Sequence, residues 1–266
     1  MEILTLNSYG LGHYLHKTKQ TKNKQSDYNI GRIIAQHRNS YQLITADGIL
    51  TGIVRGKNLK TNTPDNLPRV GDWVTYEQLA TDTKALITTI LPRYGIISRY
   101  DKDKKQEQVI ATNVDTLLIV QSIDQQINLA RLQRFLLMAA NGNCQTVVLF
   151  NKSDKKLSST SEAEQIGKQL NVPTYAISAK NGLGFTPLTK YLSPGQTVAF
   201  VGPSGVGKSS IINFLSQSSS QKIGAVRQSD GKGRHTTTSR EIIILPNQTI
   251  VIDTPGLREL ELIENS

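Results

Sequence analysis

Eight residues carry the strongest chemical pattern in the chain: Gly202-Pro203-Ser204-Gly205-Val206-Gly207-Lys208-Ser209. They fit G-x-x-x-x-G-K-[ST]. The apolar run Thr-Val-Ala-Phe-Val precedes them and Ser210-Ile-Ile-Asn-Phe-Leu follows. Strand, glycine loop and helix in that order form the setting that binds nucleotide phosphates. The glycines let backbone N–H groups curl around phosphate oxygens, and the helix N-terminus adds positive partial charge. Lys208 is expected to reach the β- and γ-phosphates and Ser209 to ligate Mg²⁺, with Ser210 beside them.

Three further patterns point to a nucleotide. Asp253-Thr-Pro-Gly256 follows the run Thr-Ile-Val-Ile, which puts Asp253 at the C-terminal end of a strand, where ligands bind in open α/β sheets. Asp253 is expected to hold Mg²⁺ through water, and the Gly256 N–H to sense the γ-phosphate. Asn151-Lys152-Ser153-Asp154 follows Thr-Val-Val-Leu-Phe and matches N-K-x-D. A carboxylate at Asp154 can accept from both N1–H and N2–H of guanine, whereas adenine would leave it unpaired. Sites of this kind discriminate by about 10⁴ or more. Asn151 would brace the loop and the Lys152 stem would cover the base; read alone, the tetrapeptide also fits a polar turn with a helix cap at Asp154. Ser178-Ala179-Lys180, one α/β unit later, would offer a backbone N–H to guanine O6.

Gly233-Arg234-His235-Thr236-Thr237-Thr238 lies between the glycine loop and Asp253, where the first switch of a GTPase must fall. Thr237 or Thr238 is expected to ligate Mg²⁺. The order is unusual. Ras-like GTPases run glycine loop, first switch, D-x-x-G, N-K-x-D, S-A-K. Here N-K-S-D and S-A-K come first. Chemistry requires only that these loops meet at one sheet edge, which a circular permutation preserves.

The elements that must position these residues are legible as patterns. From Val109, strand-like and helical runs alternate: Val-Asp-Thr-Leu-Leu-Ile-Val, a helix ending in Asn141-Gly142, Thr-Val-Val-Leu-Phe, Ser-Glu-Ala-Glu-Gln-Ile-Gly-Lys-Gln-Leu, Thr-Tyr-Ala-Ile-Ser. That alternation predicts a mostly parallel sheet with helices on both faces. Residues 29–97 read instead as five short strands rich in β-branched and aromatic residues, with a hairpin signal at Asp47-Gly48. The predicted fold class is therefore a circularly permuted α/β P-loop domain (109–266) preceded by a small all-β OB-type barrel (29–97). Residues 98–108 read as a charged linker, and residues 1–28 as a basic arm without structure. Tyr41, Tyr76 and Trp73 are candidate base-stacking platforms in the barrel, with Trp73 favoured as a core anchor.

Composition sets the broad class. Of 266 residues, 37% are apolar and 20% charged, as in a folded soluble protein. The single cysteine, Cys144, excludes an intrachain disulfide and a cysteine-rich zinc site within these residues; it reads as a core thiol in a reducing compartment. No apolar run is long enough to span a bilayer, and the N-terminus shows no signal-peptide pattern, so a cytoplasmic protein with no membrane partner is expected. Net charge is +10 and residues 1–105 carry +7 of it, which suggests a polyanionic partner bound through the N-terminal part.

With this motif order, the sequence closely resembles the RsgA (YjeQ/YloQ) family of permuted GTPases. The carrying residues are N-K-S-D at 151, G-P-S-G-V-G-K-S-S at 202, G-R-H-T-T-T at 233 and D-T-P-G-L-R-E-L at 253. V-G-D-W at 70–73 and E-Q-V-I-A-T-N-V-D at 107–115 join them. The resemblance implies an OB domain, GTP and GDP as ligands, and a role late in maturation of the 30S ribosomal subunit. It further implies contact with 16S rRNA, no DNA partner, and GTP hydrolysis stimulated by the subunit. The family's pattern continues into a zinc-binding segment with three Cys and one His; with Cys144 alone, those ligands are absent from these 266 residues. Ras-like enzymes place a water-orienting glutamine right after D-x-x-G, where this chain has Leu257, so His235 becomes the candidate for ordering the water, with Lys208 supplying charge. Arg234 and Arg258 are candidate phosphate or rRNA contacts, and Gly205 carries no signal for potassium dependence. A monomer is expected. The alternatives are an rRNA-binding module that uses GTP only as a ligand, and a P-loop ATPase or kinase, against which N-K-S-D and S-A-K argue.

Overall fold

The computed structural model of the chain describes residues 6–19, 29–37, 40–54, 67–79, 83–101, 105–217 and 240–253. Five strands form the N-terminal barrel: β1 (Asn29–Gln36), β2 (Tyr41–Thr45), β3 (Gly48–Val54), β4 (Trp73–Gln78) and β5 (Lys84–Ile90). β1 pairs with β2, β2 with β3, β5 with β4 and β4 with β1, all antiparallel, while β3 and β5 run parallel. The circuit closes, so these strands leave no free edge along the ring. Asp47 turns the β2–β3 hairpin, where Thr45 Oγ1 donates to Gly48 O at 2.8 Å.

The barrel interior explains why two candidate platforms are not platforms. Tyr41 and Leu43 share one face of β2, and Val74 and Tyr76 one face of β4; all four are buried in the core with Ile33, Leu50 and Ile87. Strand alternation sends these rings inward, so Tyr41 and Tyr76 fill the barrel instead of offering a stacking surface. Trp73 is also buried and anchors a second cluster with Tyr14 and Leu15.

Tyr14 and Leu15 belong to α1 (Leu11–Thr18), which corrects the expectation of a wholly unstructured arm over 1–28. The Tyr14 ring lies 5.5 Å from that of Trp73, and its hydroxyl donates to Pro92 O at 2.9 Å. The apolar Leu11, Tyr14 and Leu15 pack onto the barrel while Lys17 supplies positive charge in the last turn, an amphipathic pattern hidden by the basic residues that follow. Residues 1–5 and 20–28 of the arm lie outside the described residues. Tyr14→Ala is expected to lower unfolding stability by about 3 kcal/mol, the scale of deleting a buried aromatic ring, measurable by urea titration.

The expected linker at 98–108 is also corrected. β6 (Ile96–Asp101) and β7 (Gln106–Thr112) form an antiparallel hairpin. Its root is apolar, with Ile97, Val109, Ile110 and Ala111 buried, and only its distal end is charged.

The second unit runs β8 (Thr116–Ser122), α2 (Leu129–Asn141), β9 (Gln145–Asn151), α3 (Ser159–Leu170), β10 (Thr174–Ala176), β11 (Thr197–Val201), α4 (Lys208–Gln217), β12 (Arg240–Ile244) and β13 (Ile250–Asp253). Strands β10, β9, β8, β11 and β13 are adjacent and parallel; β12 is antiparallel to β13. Alternate residues feed two cores. Leu117, Ile119, Val148, Phe150 and Val201 face α2 and α3, whereas Leu118, Val120, Val147, Leu149 and Phe200 face α4 and the 3-10 turn Thr186–Tyr191. Burial on both faces is why these strands are continuously apolar in sequence. Cys144 is a buried core thiol whose pKa burial pushes up to about 12, with Asp115 adding to the rise.

β12 also pairs with β1, Ala35 opposite Glu241 and Gln36 opposite Arg240, so one eleven-stranded sheet runs through both units. Arg32 reinforces the junction: it is fully buried, Nη2 donates to Thr197 Oγ1 at 2.9 Å, and its guanidinium lies 5.5 Å from the Trp73 ring. Beside it, Asp115 Oδ1 lies 2.7 Å from His13 Nε2, and Asp115 Oδ2 accepts the Thr197 amide at 2.8 Å. Burial pushes the Asp115 carboxyl up, but the His13 hydrogen bond, the Thr197 amide and the charges of His13 and Lys17 outweigh it and hold its pKa below the usual value. Among the described residues no helix is long and apolar enough to cross a membrane.

Candidate nucleotide site

The glycine loop connects the end of β11 to the start of α4, as its flanking runs predict. Gly202 has φ 137°, and a Cβ there would stand 2.1 Å from the carbonyl oxygen of Val120. Gly207 has φ 97°, and a Cβ there would stand 2.2 Å from Asn151 Nδ2. Both conformations belong to glycine. Val206 is buried and pins the loop to the core, Pro203 is half-buried, and Ser204 and Gly205 are exposed at its crest. Lys208 Nζ donates to the carbonyls of Gly202 and Pro203, the latter at 2.7 Å, which folds the ammonium over the loop. Ser209 and Ser210 are exposed on the first turn of α4.

The base-reading pattern sits at the end of β9, in the strand beside β8. Asn151 is buried and acts as a staple: Nδ2 donates to Val206 O at 2.8 Å, and Oδ1 accepts the Ala179 amide at 3.1 Å. One side chain thus ties the glycine loop to the Ser178-Ala179-Lys180 loop. Lys152 takes the left-handed conformation, φ 64°, which turns the chain out of the strand. The Ser153 amide donates to Ile177 O at 3.0 Å. Ser178, fully buried, donates its hydroxyl to Asp154 Oδ1 at 2.6 Å, so the otherwise exposed carboxylate has one oxygen fixed. That hydrogen bond is the main reason the Asp154 pKa lies below the usual value, with Lys180 and Lys155 contributing. Ala179 is half-buried, and Lys180 is exposed. Phe185, just past this loop, meets Phe214 of α4 with ring centroids 4.3 Å apart, a second contact between this part of the chain and the helix after the glycine loop.

Asp253 is half-buried at the C-terminal end of β13, next to β11 and at the same sheet edge as Ser209. Both offer only oxygen donors, the set that suits Mg²⁺, which keeps waters and phosphate oxygens for its remaining positions. His235, Thr237, Thr238 and Gly256, together with Arg234, Leu257 and Arg258, lie outside the described residues. Among the described residues there is no group of three or more His, Cys, Asp or Glu that could hold a metal.

Sequence reasoning missed Asp124, which follows β8 and stands beside the base-reading loop. Lys155 donates to it at 2.8 Å, and Ser122 also hydrogen-bonds it. The Lys155 bond first, then that of Ser122, lower its pKa to about 2. Because the folded value lies below the unfolded one, the stabilisation is complete above the ordinary carboxylate range and is lost as pH falls through about 2. A carboxyl ¹³C titration is expected to show a midpoint near pH 2 for this residue.

Among the described residues, Asn151–Asp154, Ser178–Lys180, Gly202–Ser209 and Asp253 therefore meet at one sheet edge, in the permuted order. The protein-family model described as RsgA GTPase matches residues 90–263. "Small ribosomal subunit biogenesis GTPase RsgA 2" of Lactiplantibacillus plantarum is 40% identical over 241 residues, 90% of this chain and 68% of the relative. The "Small ribosomal subunit biogenesis GTPase RsgA" of Opitutus terrae is 40% identical over 242 residues, 87% of this chain and 66% of the relative. Among solved structures, YjeQ from Thermotoga maritima superposes with a TM-score of 0.64 at 24% identity, covering 87% of this chain and 76% of that one. YloQ, described as a circularly permuted GTPase, does so with a TM-score of 0.57 at 24% identity, covering 89% and 74%. The structures share the fold, the relatives share the sequence, and the matched region contains every loop of the site: the chain belongs to the RsgA GTPase family.

Proposed function

We propose that this chain hydrolyses GTP to GDP and phosphate, acts in biogenesis of the small ribosomal subunit, and turns over faster when the subunit is bound. The observation that carries the nucleotide assignment is the Asn151 staple, which holds the phosphate loop and the guanine loop in one fixed relation. The relatives' names carry the ribosomal part, and the positive excess in residues 1–105 suits contact with 16S rRNA.

Asp154 would read guanine N1–H and N2–H through a carboxylate that Ser178 orients. With the Ala179 amide held by Asn151, the Lys180 amide would face O6, and the Lys152 stem would cover the base. Gly202 through Gly207 would wrap the phosphates, and Lys208 would exchange its two carbonyl partners for β- and γ-oxygens. Ser209, Asp253 and Thr237 or Thr238 would hold Mg²⁺, which neutralises charge on the transferred phosphoryl group when bound. Water attacks the γ-phosphorus, the bond to the β–γ bridging oxygen breaks, and GDP leaves with that oxygen. Leu257 cannot orient the water, which leaves that task to His235 or to the bound subunit.

GTP turnover by the chain, with and without purified 30S subunits, tests this reading. Stimulated phosphate release supports it. Guanine-nucleotide binding without turnover in either condition would replace it with an rRNA-binding module that takes GTP as a ligand.

A further inference from the structure

The base-reading loop has a neighbour with no part in the chemistry above. Ser122, the last residue of β8, lies in register with Asn151, and the Ile123 amide donates to Asn151 O at 3.0 Å. These contacts fasten the segment after β8 to the first residue of the motif and bring Asp124 beside the second. Lys152 Nζ lies 3.7 Å from Asp124 Oδ1, while Asp124 Oδ2 accepts from Lys155 Nζ at 2.8 Å. The Lys152 and Asp124 side chains are 26% and 21% exposed, so the pair sits in the wall of the site, whereas Lys155 is 55% exposed. Lys152 leaves the strand in the left-handed conformation, and the carboxylate across from its ammonium limits where that ammonium can go.

We infer that Asp124 is a positioning residue for guanine-nucleotide binding that acts through Lys152, holding the ammonium aside so that the stem lies ready against the face of the base. The inference rests on the reading of residues 151–154 as the guanine site. A free lysine side chain samples many rotamers, and ordering it only when nucleotide arrives costs affinity; restraining one end beforehand removes part of that cost. The contact is to the face of the purine, not its edge, so it carries no preference among purines that differ at C2. That preference belongs to Asp154.

The test is a double-mutant cycle read by GDP and IDP dissociation constants, with melting temperature as a fold control. Asp124→Asn is expected to weaken both nucleotides by the same factor, about threefold to fivefold, and to raise KM for GTP more than it changes kcat. In a Lys152→Ala background, Asp124→Asn is expected to produce no further loss. Lys155→Ala, which removes the more exposed partner, is expected not to reproduce the loss. An equal loss in both backgrounds, or a Lys155→Ala variant that matches Asp124→Asn, would overturn the inference. Failure of the unmodified chain to bind GDP would instead sink the site reading beneath it.

Discussion

Asp154→Asn is expected to turn the base site from guanine toward xanthine. An asparagine can still accept the Ser178 hydroxyl and the purine N1–H on Oδ1, but its other polar atom becomes an N–H₂ donor. Guanine presents an amine there, so donor meets donor; xanthine presents a carbonyl, and the pair is restored. Loss of a paired polar contact in a site built for it costs orders of magnitude, because the site's own groups are left without partners. GTP affinity is expected to fall about 10³-fold or more while xanthosine triphosphate gains, read by competition against a fluorescent GDP analogue. Unchanged guanine affinity in this variant would remove Asp154 from the base site.

Alanine at the two ends of the glycine loop is expected to separate stability from binding. At Gly202 the new Cβ meets the backbone carbonyl of Val120 at 2.1 Å, and neither strand can yield without breaking its ladder. Positive φ strains alanine at both positions, and the backbone clash comes on top of it at Gly202, so Gly202→Ala is expected to lose about 3 kcal/mol of folding stability or more. At Gly207 the obstacle is Asn151 Nδ2, the end of a side chain, which can swing away. In doing so it gives up its bonds to Val206 O and to the Ala179 amide. Two such bonds at about 1 kcal/mol each correspond to about a thirtyfold loss of GDP affinity, with a smaller drop in melting temperature than at Gly202. Thermal melts and GDP titrations of both variants check this, and equal melting temperatures would contradict the backbone clash at Gly202.

The candidate nucleotide loops were legible because each groups its residues close together in sequence. A phosphate cradle needs glycines and a lysine at set intervals, and the strand before and helix after it are themselves periodic. The barrel's strands, the parallel sheet and the buried Cys144 followed from the same local patterns. What escaped was decided by contacts between distant segments. The hairpin at 96–112 looked like a linker because its tip is charged, although Ile97 and Ile110 at its root are buried. α1 was hidden because its apolar face is short and much of what it covers, Trp73 with Leu91 and Tyr94, lies far along the chain. Tyr41 and Tyr76 could not be assigned to inside or outside until barrel closure set the direction of each face.

By itself the amino-acid sequence determined the ligand class, the permuted order of the loops and the two kinds of sheet, since all three depend on local spacing and alternation. Only the tertiary structure decided that Asn151 spans two loops, that Asp124 stands beside Lys152, and that β12 joins β1 to run one sheet through both units. The reason is physical: a buried amide finds its partners, and an edge strand its neighbour, only where the folded chain brings them within hydrogen-bonding distance, and no spacing along the sequence encodes that meeting.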